Sequence, residues 1–227
     1  MAEWRHYPPG EVYDPQTHAQ YFYHAHPPAQ RSPDEHGHFH SFLRAEGMPA
    51  GVAPLILPET AIAEAARISP QAPPLKHGRG DEVSHLVAIA LDPAGEPIRV
   101  FTTNRWVTGE TWYRAHDVIK MLDCFKFSAV GGPALLNDWI AAIVTLFRPQ
   151  IAWLLRQRDE TVIGWRQRRR RNVFEDIRLE VTSSFDIDLD AQFSFLDQLQ
   201  AGVDAGSASR SARLPRMTDG WGEGHAD

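Results

Sequence analysis

Tyr21-Phe22-Tyr23-His24-Ala25-His26 and Glu35-His36-Gly37-His38-Phe39-His40-Ser41-Phe42-Leu43 are two runs whose character changes at every second residue. Aromatic residues on alternating positions favour strands. Between the runs lie Pro27, Pro28, Pro33 and Asp34, which favour a turn. The reading is a β-hairpin with a connection longer than the usual two to five residues. Five of the eleven histidines fall within the seventeen residues from His24 to His40. Alternate side chains of a strand share a face. His24 and His26 therefore point one way on the first strand, and His36, His38 and His40 one way on the second. The simplest register pairs His24 with His38 and His26 with His36, with all five rings on one face.

Directly opposed Cβ atoms sit about 4.5–5.5 Å apart, and positions two apart along a strand roughly 6.6 Å. Imidazoles at those spacings can lean to a common centre at zinc–nitrogen distances of about 2.0–2.1 Å. Packed imidazoles repel when protonated, so such a cluster is costly without a metal or carboxylates. His24, His26, His36, His38 and His40 are thus candidate metal ligands, and Glu35 is the nearby carboxylate to complete the site or act as a base. His36 and His40 lie about 13 Å apart on an extended strand, so one ion reaches both only if the strand bends, and Gly37 is where it would. His85, at the start of another strand, is a further candidate ligand, and His116 a weaker one.

Working outward, residues 1–17 carry Pro8, Pro9, Gly10 and Pro15 and read as an irregular lead-in. Pro58 to Arg67 has helical spacing, and the Pro- and Gly-rich stretch to Asp81 reads as a loop. Ser84–Leu91 and Ile98–Thr103 form a second hairpin about Asp92-Pro93-Ala94-Gly95. Asn104–Glu110 reads as a loop and Tyr113–Phe125 as a helix. Pro133 opens a long helix through Phe147; Pro149 opens another towards Arg171, weakly interrupted at Gly164. Leu179–Leu189 alternates like a strand, and Asp190–Gln200 suits a short helix. Residues 201–227 are rich in Gly, Ala, Ser and Arg and are expected to be a disordered tail. Strands in the first half and helices in the second predict an α+β fold: one domain over residues 18–200, an antiparallel sheet built from hairpins and covered by helices.

The segment Thr102–Trp112 gathers polar groups and two tryptophans after a strand. Arg105 is a candidate catalytic clamp for a carboxylate, and Tyr23, Trp106, Trp112 and His116 are candidate pocket walls. The basic run Arg166, Arg168, Arg169, Arg170 and Arg171 has few aromatic neighbours and suits a solvated helix end better than nucleic acid. Asp186, Asp188 and Asp190 read as a solvent face. The HxH pairs are similar to the cupin pattern, but Glu35 is too far from His26 to fill the cupin glutamate's place. His40 stands where the metallo-β-lactamase motif needs Asp. In YHAHPP (23–28), EHGHFHSF (35–42) and TTNRWVTGETW (102–112) the chain resembles an uncharacterised bacterial protein family of unknown function, over most of residues 18–200. That resemblance implies no activity.

Composition bounds the rest. The chain has 227 residues, a net charge of -6 and ordinary apolar and charged fractions. No nucleic-acid or membrane partner is expected from that charge, and no apolar stretch is long enough to span a bilayer. Self-association stays open. Met1–His6 lacks the pattern of a secretory signal. Cys124 is the single cysteine, so a thiolate zinc site and an internal disulfide are excluded and a reducing, cytoplasmic setting is expected. The cofactor expected is a divalent transition metal: iron, copper or zinc. Two function classes follow. One is a mononuclear or dinuclear metalloenzyme on a small-molecule substrate, an oxidoreductase or oxygenase by a slight preference, or a hydrolase using activated water. The other is a protein without catalysis: a metal carrier, sensor or store, or a binding or assembly protein in which the histidines are incidental.

Overall fold

The computed structural model describes residues 4–55, 82–168 and 172–204. The expected helix at Pro58–Arg67, the loop after it, Arg169–Arg171 and most of the expected tail lie outside these residues. Six strands form one sheet: β1 (Tyr7–Tyr13), β2 (Ala19–His24), β3 (Gly37–Arg44), β4 (Val83–Leu91), β5 (Pro97–Thr103) and β6 (Val181–Asp186). They lie side by side in sequence order, each antiparallel to the next. The helices are α1 (Arg105–Thr108), α2 (Ala115–Met121), α3 (Ala134–Leu146), α4 (Arg148–Arg168) and α5 (Leu189–Asp204). The fold is the α+β arrangement that the hairpin pattern predicts.

One face of the sheet meets the helices. Tyr21, Phe39, Ile89, Val100 and Phe185 project from five strands into the main core. On α3 the buried positions include Ile140, Ile143 and Val144; on α4 they include Ile151, Leu154, Leu155 and Val162. Spacings of three, four and seven residues make one apolar stripe on each helix. The Tyr21 hydroxyl donates to Asn137 Oδ1 at 2.9 Å and the Ser183 hydroxyl to the Leu154 carbonyl at 2.9 Å, tying α3 and α4 to the sheet. Among the described residues no single helix is long and apolar enough to cross a membrane; α3 and α4 reach that measure only as a pair bent by 71°.

Several boundaries differ from expectation. Residues 7–13 are not irregular: they form the edge strand β1, which meets β2 through a bulge between Tyr7 and Val12. An edge strand needs ladder partners on one side only, so it tolerates Pro8 and Pro9 where an inner strand would not. Asn104–Glu110 is not wholly loop, because the Asn104 side chain accepts from the Arg105 N–H and starts the short helix α1, which Gly109 ends at φ 65°. The expected helix at Tyr113–Phe125 is shorter, a regular α2 that tightens into a single turn at Leu122–Cys124. Gly164 does not interrupt α4.

Candidate metal centre

The other face of the sheet carries the histidines. The ladder pairs His24 with His38 and Phe22 with His40, the first of these as the alternation predicts. His38 and His40 face Ala90 and Ala88 on β4, whose small side chains leave room for imidazole rings. Phe22, Phe42 and Phe101 complete an apolar floor: Phe22 and Phe42 lie 5.2 and 6.2 Å from the His40 ring, and Phe101 stands edge-on to His38 at 5.1 Å. His24, His38, His40 and His85 are all buried.

His85 reaches this face through a bulge. Ser41 pairs with Val87, but the next residue, Phe42, pairs with His85, so Leu86 is an extra residue in β4. Leu86 and Val87 both turn into the helical core. His85 then falls on the side of Ala88 and Ala90, which simple alternation from residue 88 would not allow. Its displaced backbone N–H donates to Glu110 Oε2 at 2.8 Å.

One ring nitrogen from each of His24, His38 and His40 lies within 4.8 Å of the others. His24 Nε2 is 2.7 Å from His38 Nε2 and 3.3 Å from His26 Nε2. His38 turns its Nδ1 to Glu35 Oε1 at 2.7 Å. His40 Nδ1 is 3.1 Å from His85 Nε2, and His85 Nδ1 is 3.5 Å from the Thr103 hydroxyl. Burial holds His24 and His85 down at about 3 and pushes His40 and His26 down as well, with the positive field of neighbouring groups adding to it. These rings are therefore neutral near pH 7, the form in which an imidazole nitrogen binds a metal. Burial pushes the Glu110 carboxyl up to about 7 and raises Glu180 too.

The donor set fits a metal ion. A carboxylate only accepts, so the Glu35 contact puts a proton on His38 Nδ1 and leaves Nε2 as the nitrogen turned to His24. His26 Nε2 faces the same His24 atom. A shared proton or a cation can bridge nitrogens held this close. Nitrogens around a tetrahedral zinc ion lie about 3.3 Å apart. The His24–His38 spacing of 2.7 Å has to open by roughly 0.6 Å, and the His40 nitrogen, within 4.8 Å of both, has at most about 1.5 Å to close, shifts of the size side-chain rotation gives. The ligand types, all imidazole with a carboxylate behind, suit zinc, iron or copper.

Other sequence candidates are placed elsewhere. Strand β3 begins at Gly37, so His36 escapes its alternation: its Nδ1 meets the Tyr23 hydroxyl at 2.7 Å, and the two rings stack at 15°. Tyr23 itself belongs to the helical core. The Arg105 guanidinium is paired with Glu175. Trp106 Nε1 donates to the Leu179 carbonyl at 2.8 Å. Trp112 packs in a side core with Phe174, under the Arg158 guanidinium at 4.1 Å. His116 is exposed and bound to Asp117 at 3.0 Å. A groove of about 700 Å³ between α3 and α5, lined by Trp139, Ile143, Leu146, Phe195, Leu196 and Leu199, belongs to the helical layer and not to the histidine face.

Sequence reasoning missed Trp4, His6 and Glu110. The Trp4 N–H donates to the Ala25 carbonyl at 3.0 Å and its ring lies 4.3 Å from that of His26. His6 stacks on Phe22 at 3.7 Å, with its centroid 5.7 Å from that of His24. The edge strand brings both, and no local periodicity signals it.

Among known proteins, a family model described as a domain of unknown function (DUF6969) matches residues 1–187. No curated protein matches the chain, and no solved structure does.

Proposed function

The chain belongs to the DUF6969 family, and from its own side chains we propose that it binds one divalent transition metal ion through His24, His38 and His40 and works as a metal-dependent enzyme on a small molecule. The observation that carries this reading is the convergence of three buried imidazoles, one of them locked by Glu35. Three protein ligands are the number that catalytic sites use while keeping a position for substrate or water. Glu35, hydrogen-bonded to His38, supplies counter-charge for a buried dication. Glu35 acts as an orienting partner of His38, and the Phe22, Phe42 and Phe101 rings exclude bulk water. Bound there, an ion supplies Lewis-acid polarisation, or electron transfer where it is iron or copper. An oxidoreductase remains the preferred class because an aromatic, thiolate-free imidazole site suits oxygen chemistry; hydrolysis is the reading for zinc.

One observation favours a second reading. His26 Nε2 stands 3.3 Å from His24 Nε2, so four imidazoles close on one ion if His26 joins, as in a carrier or a structural site. The experiment is metal analysis and metal titration of protein made without a histidine tag, in wild type and in His24→Ala, His38→Ala, His40→Ala and His26→Ala. Loss of metal in the first three variants with retention in the fourth supports the open, catalytic site. A loss in His26→Ala as complete as in the others supports the closed one. Full occupancy in all four ends both readings.

A further inference from the structure

An unbroken β4 would pair Phe42 with Leu86 and leave His85 facing the helical core; the bulge at Leu86 gives that core both Leu86 and Val87. The break instead delivers a fully buried imidazole to the back of His40, with Nε2 at 3.1 Å from His40 Nδ1. It also leaves a backbone N–H without its strand partner, which an oxygen of the buried Glu110 carboxyl group takes up at 2.8 Å. Two buried polar groups, His85 and Glu110, are thereby committed to one spot. The two directly linked rings also have a consistent proton order. The Thr103 hydroxyl lies 3.5 Å from His85 Nδ1 and can accept a proton there, an arrangement that leaves an acceptor lone pair on Nε2.

We infer that His85 is a positioning residue for the metal centre: its Nε2 accepts the Nδ1 proton of His40, so that the lone pair on His40 Nε2 is the one presented to the ion, and Glu110 holds the bulge that brings His85 there. The inference rests on the metal-binding reading of His24, His38 and His40. His85 then does for His40 what Glu35 does for His38. Ligating histidines commonly donate their second ring N–H to such a partner, which fixes tautomer and ring orientation. A ligand role for His85 in a second ion has weaker support. His40 and His85 offer two nitrogens, Glu110 is engaged with backbone, and among the described residues the one convergent group is His24, His38 and His40.

The test is cobalt(II) titration of the metal-free full chain, following stoichiometry, affinity and the visible absorption of the bound ion, in wild type, His85→Asn and His85→Gln. A glutamine amide oxygen reaches the place of Nε2; an asparagine amide stops near Nδ1. One equivalent is expected in all three proteins. Affinity in His85→Asn falls about 10–100-fold with an altered absorption spectrum, and His85→Gln recovers most of both. Both variants keep a polar side chain at the bulge, and thermal melts of the metal-free forms verify folding; if His85→Asn does not fold, a wild-type-like affinity and spectrum in His85→Gln supports the inference and a full loss there overturns it. Two equivalents in wild type dropping to one in both variants makes His85 a ligand and overturns the inference while sparing the first site. Wild-type affinity and spectrum in His85→Asn overturns it as well. No uptake of cobalt by wild type removes the centre itself, and the inference with it.

Discussion

His24 Nε2 and His38 Nε2 lie 2.7 Å apart across a single rung of the β2–β3 ladder. The rung fixes the two Cα atoms, and Glu35 fixes which nitrogen of His38 looks across it. Neither ring makes the site without the other. His24→Ala and His38→Ala are each expected to weaken metal binding by more than about 100-fold, beyond the range of outer partners. The double variant is expected to bind no more weakly than the poorer single one, because both act on one ion. His36→Ala, whose ring is turned to Tyr23, is expected to stay within about twofold of wild type, well inside the range of outer partners. Titration with zinc or cobalt checks all four, and additive losses in the double variant would count against a shared ion.

Glu35 reaches the ion only through His38. Replacing it by Gln removes the negative charge but leaves an oxygen able to accept the His38 Nδ1 proton. Glu35→Gln is therefore expected to lower metal affinity by about tenfold, and Glu35→Ala by up to about 100-fold, with unfolding temperatures of the metal-free forms little changed. Competition against a chelator of known affinity measures both steps. Equal losses in Gln and Ala would make charge, not orientation, the contribution of Glu35.

The strands were legible because period two is a local signal, and the His24–His38 register followed from the hairpin. What failed was information carried by distant partners or by breaks in alternation. Pro8, Pro9 and Gly10 hid an edge strand whose pairing needs only β2. The bulge at Leu86 reverses the face of His85, and nothing in SHLVAIAL announces it. His36 shares parity with His38 yet lies one residue before the strand begins. Trp112 reads as a pocket wall until Arg158 arrives over its ring from a helix far along the chain. Glu110 stands among turn-forming residues, and its role appears only once β4 is displaced.

Gly37 is a point where the site depends on backbone alone. A Cβ there would meet the His24 carbonyl oxygen at 2.5 Å and the Tyr23 hydroxyl at 2.5 Å. The first of these is backbone and cannot rotate aside. Gly37→Ala is expected to destabilise the chain by about 1–3 kcal/mol through overpacking. For a chain of this size that lowers the unfolding temperature by roughly 2–4 °C per kcal/mol. It also moves β2 where it presents His24, so metal affinity falls together with stability. Calorimetry and metal titration on the same samples check the pairing of the two effects; a destabilised variant with wild-type affinity would uncouple this contact from the site.

Acid should act on the metal-free protein through the same rings. Burial holds His24 and His85 at about 3 and depresses His40, against an ordinary value of 6.5 in the unfolded chain. Between these values the unfolded chain binds protons that the native protein refuses. Stability contributed by the neutral rings is complete above about 6.5 and is lost as the pH falls towards 3, by roughly 1 kcal/mol per pH unit for fully buried His85 alone. Glu110 works in the opposite sense. Its carboxyl, raised from 4.5 to about 7, keeps a proton in the native state that the unfolded chain releases. That contribution is complete below 4.5 and is lost as the pH rises through 7. Between 4.5 and 6.5 it therefore offsets part of the histidine effect. Glu110→Gln removes the titration and keeps an oxygen for the His85 N–H, so its stability is expected to depend more steeply on pH in that window than the wild type's. Denaturant unfolding of metal-free protein at closely spaced pH values measures the slopes, and an unchanged or shallower slope in Glu110→Gln would mean that native Glu110 holds its proton no more tightly than the unfolded chain does.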